Sequence, residues 1–461
     1  MIKNGLSEKI GYGFGDMSSS MFWKIFSYYL PFFYSNIFGL SLTDAGIILL
    51  VTRIWDAVSD PMMGVIADRT NTRWGKYRPY LLWVAPFFSI CGILVFSTPN
   101  FGYAAKLVWA YVTYILMMTV YTGINVPYGA MLGVMTDDPK EKTVFSSFRM
   151  FFAYGGSFIA LFVWEPLTNM FGGYNTKEGW FWAMLCIAAA CFVLFLLTFS
   201  LTREHLKTVS TVSVGSDFKS LLENKPWWLL IGAALCFNLF CTVRGASVAY
   251  YFQDIIGADA TLVFFGFVIA FYAGLFLSVG EVSNMIGVAI TVPIAGRIGK
   301  KSTFMMVCVL LFIFSIVFYF VPVTKTGMWI MLVMQVIISM LTGIMSPLVW
   351  SMYADVSDYA ELQFKTASTG LIFSSSSMAQ KFGGAIGGSA ALWLLGAFGY
   401  IPAVPGAARV AQPEAALECL RWLMSFIPAG VALLALIVVY FYPLTTDRVN
   451  EISEKLKIQR S

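Results

Sequence analysis

Twelve long apolar runs punctuate the chain, near 17–38, 45–67, 80–98, 106–135, 145–168, 179–201, 226–252, 278–297, 303–322, 328–353, 369–398 and 417–442. Each is long enough to cross a hydrocarbon core of about 30 Å as a helix, the element that satisfies its own backbone where water is absent. The stretch 258–297 is too long for one crossing, so 259–276 reads either as an interfacial helix or as an extension of its neighbour. A polar segment, 203–225, divides the runs six and six. The pattern predicts an all-α membrane protein of twelve transmembrane helices. Its expected parts are an N-terminal six-helix bundle over 1–202, a central loop over 203–225, and a C-terminal bundle with its tail over 226–461.

Charge placement agrees with that count. Lysine and arginine gather before the first run and after the second, fourth, sixth, eighth and twelfth, while the alternate loops carry little beyond Lys106, Lys177, Lys325 and Arg409. The positive-inside rule then places both termini in the cytoplasm. Gly64-Val65-Ile66-Ala67-Asp68-Arg69 with Trp74-Gly75-Lys76 is echoed by Ile294-Ala295-Gly296-Arg297-Ile298-Gly299-Lys300-Lys301, each after the second run of its half. Duplicated halves that rock about a central site are a common transporter plan.

Composition narrows the function classes. Only 12% of the 461 residues are charged and mean hydropathy is +0.75, about half the charge of an average soluble domain. A lipid bilayer is therefore an expected partner. No basic stripe interleaved with aromatics points to nucleic acid. The seven cysteines form no CxxC pair, and the single histidine, His205, excludes catalytic triads and histidine metal sites by inventory. An enzyme is not expected. Met1-Ile2-Lys3-Asn4-Gly5 lacks the pattern of a cleavable signal peptide.

Charged side chains inside the runs carry the candidate chemistry, because each costs about 2.5–3.5 kcal/mol at mid-span on insertion scales. Asp56 and Asp60 stand four apart on one helical face, with Arg53 one turn before Asp56. One arginine cannot neutralise two acids so close, which points to a Na⁺ or H⁺ site; the bland alternative is an Arg53–Asp56 packing pair. In the fourth run, Thr122 and Asn125 offer oxygens at three-residue spacing beside Pro127 and Tyr128, either for a cation shell, for a polar solute, or simply to hold a proline kink.

Asp16, Ser20 and Lys24 recur at four-residue steps in the first run, a polar stripe suited to sugar hydroxyls. Asp16 and Lys24 are too far apart to pair along one helix, so each needs a partner elsewhere. Arg149, Arg244, Glu281 and Lys381 also lie within or beside runs, Lys381 the deepest. The surplus of Lys24, Arg149, Arg244 and Lys381 over nearby acids favours an anionic sugar such as a uronide. At the end of the tenth run Asp355 and Asp358 lie one turn apart, and Trp350 just inside offers a ring face to a sugar. Pairing of these acids with Arg69, Arg73 or Lys140 would make a cytoplasmic gate latch, against the alternative of a solvated helix end.

At these residues the sequence resembles the glycoside–pentoside–hexuronide:cation symporter family, typified by melibiose permease, within the major facilitator superfamily. The resemblance runs the full length: Lys9-Ile10-Gly11-Tyr12-Gly13-Phe14-Gly15-Asp16, Arg53-Ile54-Trp55-Asp56-Ala57 with Asp60-Pro61, Arg73-Trp74-Gly75-Lys76-Tyr77-Arg78-Pro79, Ala354-Asp355 through Asp358-Tyr359, and Tyr442-Pro443-Leu444-Thr445. It implies two six-helix bundles, alternating access, and sugar import into a bacterium across its inner membrane, driven by Na⁺, Li⁺ or H⁺ with no other cofactor and no oligomer required. Carried over by motif, Asp56, Asp60 and Thr122 match cation ligands, with Ser59 where the family has asparagine. Arg149 and Lys381 match positions of the sugar site. Ser20, Asn125 and Gly129 depart from its aspartates and tryptophan, which disfavours melibiose itself. Two rivals remain: a lysolipid carrier of the same superfamily, which would need an apolar cleft open to lipid, and a membrane enzyme or sensor, which would need catalytic groups or an output domain.

Overall fold

The computed structural model describes residues 5–136, 139–205, 222–257, 260–264, 267–364, 369–403 and 410–460. The elements follow the twelve apolar runs. We number them α1 (Leu6–Tyr28, continuing as Leu30–Phe32 and a wide π-type turn Phe33–Ile37), α2 (Leu42–Arg69), α3 (Arg78–Trp83 and Ala85–Val95), α4 (Tyr103–Met135), α5 (Pro139–Met170) and α6 (Lys177–Leu201). After the central segment come α7 (Lys225–Tyr251), α8 (Ala273–Ile298), α9 (Lys300–Tyr319), α10 (Lys325–Phe364), α11 (Thr369–Ala397) and α12 (Glu414–Met424 with Phe426–Tyr440). A final helix, α13 (Thr446–Arg460), is polar and short.

Proline explains the broken helices. The interruptions at Tyr29, Val84 and Ser425 fall just before Pro31, Pro86 and Pro428, where a missing N–H removes the i→i−4 bond and the ring crowds the preceding turn. Eight helices among the described residues are long and apolar enough to cross a membrane by composition alone: α4 to α10 and α12. Of the other four, α3 is cut short by its break, while α1, α2 and α11 carry Asp16 and Lys24, Asp56 and Asp60, and Lys381. Charged side chains in α1 and α2, and the serines and glycines of α11 beside Lys381, dilute their hydropathy.

The region 259–276 is neither of the expected forms. It holds an antiparallel hairpin, β1 (Thr261–Phe264) and β2 (Phe267–Ala270), paired in register from Thr261↔Ala270 to Phe264↔Phe267. Its run of β-branched and aromatic residues favours a pleated surface over a helix, and α8 starts only at Ala273.

The chain forms two compact units. The first comprises 1–210, 272–281 and 392–416. Within it α1 packs along α5 and α6, and α2 along α4. Contact between α1 and α5 is intimate because Gly156 has no side chain: a Cβ there would lie 2.6 Å from the Met17 carbonyl oxygen. An aromatic cluster of Tyr29, Phe32, Phe96, Trp164 and Trp180 fills one end. The first turns of α8 also belong here. Gly274 lies so near α5 that a Cβ would sit 2.2 Å from the Leu161 carbonyl oxygen.

The second unit comprises 211–271, 282–391 and 417–461. In it α7 and α9 both pack on α12, and α10 packs on α9. Its core joins Phe240, Leu311, Met345 and Tyr353, and α13 closes that core with Ile452 and Leu456. Most of the central loop expected over 203–225 lies outside the described residues.

Candidate cation and solute site

In the first unit, α2 presents Arg53, Asp56, Ser59 and Asp60 at successive helical turns toward Thr122 of α4. Asp56 is fully buried, and Arg53, Ser59 and Thr122 are nearly so. The Thr122 hydroxyl lies 3.1 Å from Asp56 Oδ1 and 2.9 Å from Asp60 Oδ1. Ser59 Oγ is 3.4 Å from that same hydroxyl and donates to the Asp56 carbonyl oxygen at 3.2 Å. A threonine hydroxyl carries one hydrogen and satisfies one carboxylate at a time. Arg53 Nη1 approaches Asp56 Oδ2 at 3.4 Å, and its guanidinium is stacked 4.4 Å from the Trp23 ring centre. Two carboxylates and one guanidinium gathered among hydroxyl and carbonyl oxygens make a donor set suited to a hard monovalent cation or a proton. Pro127 sharpens the same region, since its missing N–H deprives the Gly123 carbonyl of its helical partner beside Thr122. Asp56 thus faces inward toward α4, away from the exposed positions Ile54 and Val58.

The α1 stripe finds the partners its spacing demanded. Asp16 takes Arg149 of α5 in a two-point pair, Nε–Oδ2 3.0 Å and Nη2–Oδ1 3.4 Å. Lys24 Nζ takes Glu281 Oε1 at 2.6 Å and donates to the Tyr28 hydroxyl at 3.3 Å. Ser20 lies half-buried between them. Asn125, half-buried on α4, donates to the Tyr121 carbonyl at 3.1 Å.

Three expectations need correction. Tyr128, expected to meet the solute, is 1% exposed; it stacks on Tyr12 at 4.7 Å and donates to the Tyr12 carbonyl at 2.5 Å. It sits 5.5 Å under the Arg149 guanidinium and is enclosed by its neighbours, not open as expected. Asp355, expected to be open to a latch, is instead tied by both oxygens to Lys300 at 2.7 Å within the second unit. The expected surplus of cations fails in the first unit, where Lys24 and Arg149 each hold an acid; in the second, Arg244 donates to Gln335 at 2.6 Å.

The remaining candidates occupy ordinary places. Arg69 and Arg73 are exposed, Arg73 stacked on Trp74 at 4.4 Å. Asp358, Trp350 and Lys381 are half-buried in the second unit, Trp350 with its ring 6.3 Å from that of Tyr353. The Lys140 side chain lies outside the described residues.

Sequence reasoning missed three carboxylates. Glu204 gathers the backbone N–H groups of Lys76, Tyr77 and Arg78 at 2.7, 2.7 and 2.8 Å, capping the start of α3 where orphan donors and the helix dipole favour an anion. Glu8 accepts from Arg203 N at 3.0 Å and meets His205 Nε2 at 3.1 Å. Glu165 accepts from the Tyr29 hydroxyl at 3.1 Å and Gly274 N at 2.9 Å. Of these only Glu165 carried a signal, an acid inside the run 145–168.

The model for the MFS/sugar transport protein family matches residues 11–446. The chain belongs to that family. It is 32% identical over 453 residues to the putative glycoside/cation symporter YagG of Escherichia coli (strain K12), covering 98% of this chain and 95% of that protein. It is also 32% identical over 461 residues to the isoprimeverose transporter of Lactiplantibacillus pentosus, covering 98% and 90%. Among solved structures, the nucleoside transporter NupG matches with a TM-score of 0.65 at 14% identity, over 95% of this chain and 100% of that one, a likeness of fold. The transporter is thus an all-α, multi-pass inner-membrane protein with the twelve-helix major facilitator architecture.

Proposed function

We propose that this transporter carries a neutral or weakly charged sugar inward together with one monovalent cation, by alternating access. The observation that carries the reading is the Thr122 hydroxyl shared by two carboxylates, buried Asp56 and half-buried Asp60, with Arg53 beside Asp56. One Na⁺ or H⁺ balances carboxylate charge in that cluster, and its presence or absence decides whether the buried charge is tolerated. One positive charge moving inward down 100 mV supplies about 2.3 kcal/mol, enough for a roughly fifty-fold gradient. The similarity to a glycoside/cation symporter and an isoprimeverose transporter supports a sugar and a coupling ion.

In this reading both termini face the cytoplasm, the N-terminal and C-terminal halves alternate about the site, and the monomer is the working unit. In the first unit Arg149 with Asp16, Ser20 and Asn125 supply donors and acceptors to the sugar, Trp350 and Lys381 are the candidates of the second unit, and no enzymatic step or further cofactor is involved. The lysolipid alternative fits poorly with a stripe of ion pairs on α1. Uptake of a sugar panel by proteoliposomes, with Na⁺ and pH gradients imposed separately, tests the proposal. Accumulation should require one of the two gradients; uptake that only equilibrates, whichever ion is supplied, would sink it.

A further inference from the structure

The charges along α1 within the first unit close to zero. Asp16 and Arg149 pair at 3.0 Å, and Lys24 and Glu281 at 2.6 Å. Glu281 is the unusual member. Its side chain is 3% exposed, one oxygen is held by Lys24, and the other, Oε2, is buried with no hydrogen-bond partner among the described residues. A carboxylate oxygen so placed is an acceptor awaiting a donor, and leaving it unmet is costly. Lys24 is about one-fifth exposed, so the pair stands at the edge of the stripe, one turn beyond Ser20.

We propose that Glu281 is a specificity residue of the sugar site: it accepts a hydroxyl of a neutral glycoside and rejects a uronate. The inference rests on the sugar-symport reading and adds the substrate's charge to it. A sugar hydroxyl can donate to Oε2 while Oε1 stays with Lys24. A uronate has no such hydrogen on its carboxylate, and brings a second negative charge into a region whose cations are already taken. Like charges at close range in a poorly hydrated site repel strongly. This reverses the preference suggested by counting cations along the sequence, because the count took Lys24 and Arg149 as uncommitted.

Binding of 4-nitrophenyl β-D-xyloside and 4-nitrophenyl β-D-glucuronide to the purified protein in saturating Na⁺ at pH 6 tests it. The wild type should favour the xyloside by about tenfold or more, the scale of a close like-charge contact. Glu281→Gln keeps the size and an acceptor oxygen, frees Lys24, and should shrink that ratio about tenfold while the half-saturating cation concentration stays unchanged. Glu281→Gln with Lys24→Met restores neutrality, guards against a folding defect, and should bind both probes without charge discrimination. A wild type that prefers the glucuronide, or a ratio unchanged in both variants while cation-coupled uptake persists, overturns this inference alone. Binding of neither probe overturns it together with the sugar-symport reading.

Discussion

Arg53 Nη1 stands 3.4 Å from Asp56 Oδ2 while its guanidinium lies 4.4 Å from the centre of the Trp23 ring. That separation is long for a charge-assisted hydrogen bond. Arg53 therefore divides its charge between a carboxylate and an aromatic face, and neutralises Asp56 only in part. Arg53→Gln would remove the guanidinium that stands beside Asp56. The half-saturating cation concentration should fall about tenfold and maximal uptake should fall too, because the ion leaves more slowly; for a proton, the same change appears as a pH profile moved upward. Titration of uptake with Na⁺ and with pH checks the direction.

The hydroxyl of Thr122 reaches both Asp56 and Asp60. Thr122→Val preserves shape and removes it, whereas Thr122→Ser keeps it. The valine variant should need about tenfold more cation for half-maximal uptake, near 1.4 kcal/mol, and the serine variant should stay close to wild type. A valine variant with wild-type cation dependence would mean that the hydroxyl is no ligand, and a defect confined to the serine variant would mean that the methyl group, not the oxygen, matters.

Arg149 holds Asp16 through two nitrogens over the Tyr128 ring. Lysine retains the charge but has neither the fork nor the flat face. Arg149→Lys should weaken sugar binding about tenfold, leaving cation binding in the absence of sugar unaffected. Isothermal titration with each ligand in turn separates the two.

Glu204 accepts three backbone N–H groups at 2.7 to 2.8 Å at the start of α3. Glu204→Gln keeps an oxygen but loses the charge that strengthens those bonds, worth about 1.5–3 kcal/mol for a charged acceptor. The variant should unfold at lower temperature in a detergent thermal-shift assay, with sugar and cation affinities of the surviving protein intact. A change in affinity without a change in thermal stability would place Glu204 in transport and not in the scaffold.

What could be read from the sequence was whatever lies within one helix. Asp56 and Asp60 share a face by spacing alone, and the stripe from Asp16 to Lys24 follows from the same period, so their location was legible. Thr122 followed from the family resemblance, but the partners of the α1 stripe did not follow from any pattern. Asp16 meets Arg149 from 133 residues away and Lys24 meets Glu281 from 257 away, and no local pattern specifies such contacts. The hairpin at Thr261–Ala270 was hidden because a short apolar run suits strand and helix alike. Glu204 looked like one more charge in a solvated linker, although its role is to cap a helix 126 residues earlier. Tyr128 sat on the expected helix and near the expected residues, but the structure turns it toward Tyr12.

Gradient-driven accumulation and sugar exchange, measured side by side in proteoliposomes of Asp56→Cys, test the central claim most directly. Asp56→Cys removes one of the two carboxylates that the Thr122 hydroxyl reaches, and with it charge that the coupling ion balances. Accumulation in response to a cation gradient should therefore vanish, while exchange of labelled for unlabelled sugar across the membrane continues. Accumulation at the wild-type level would show that the coupling ion is bound elsewhere.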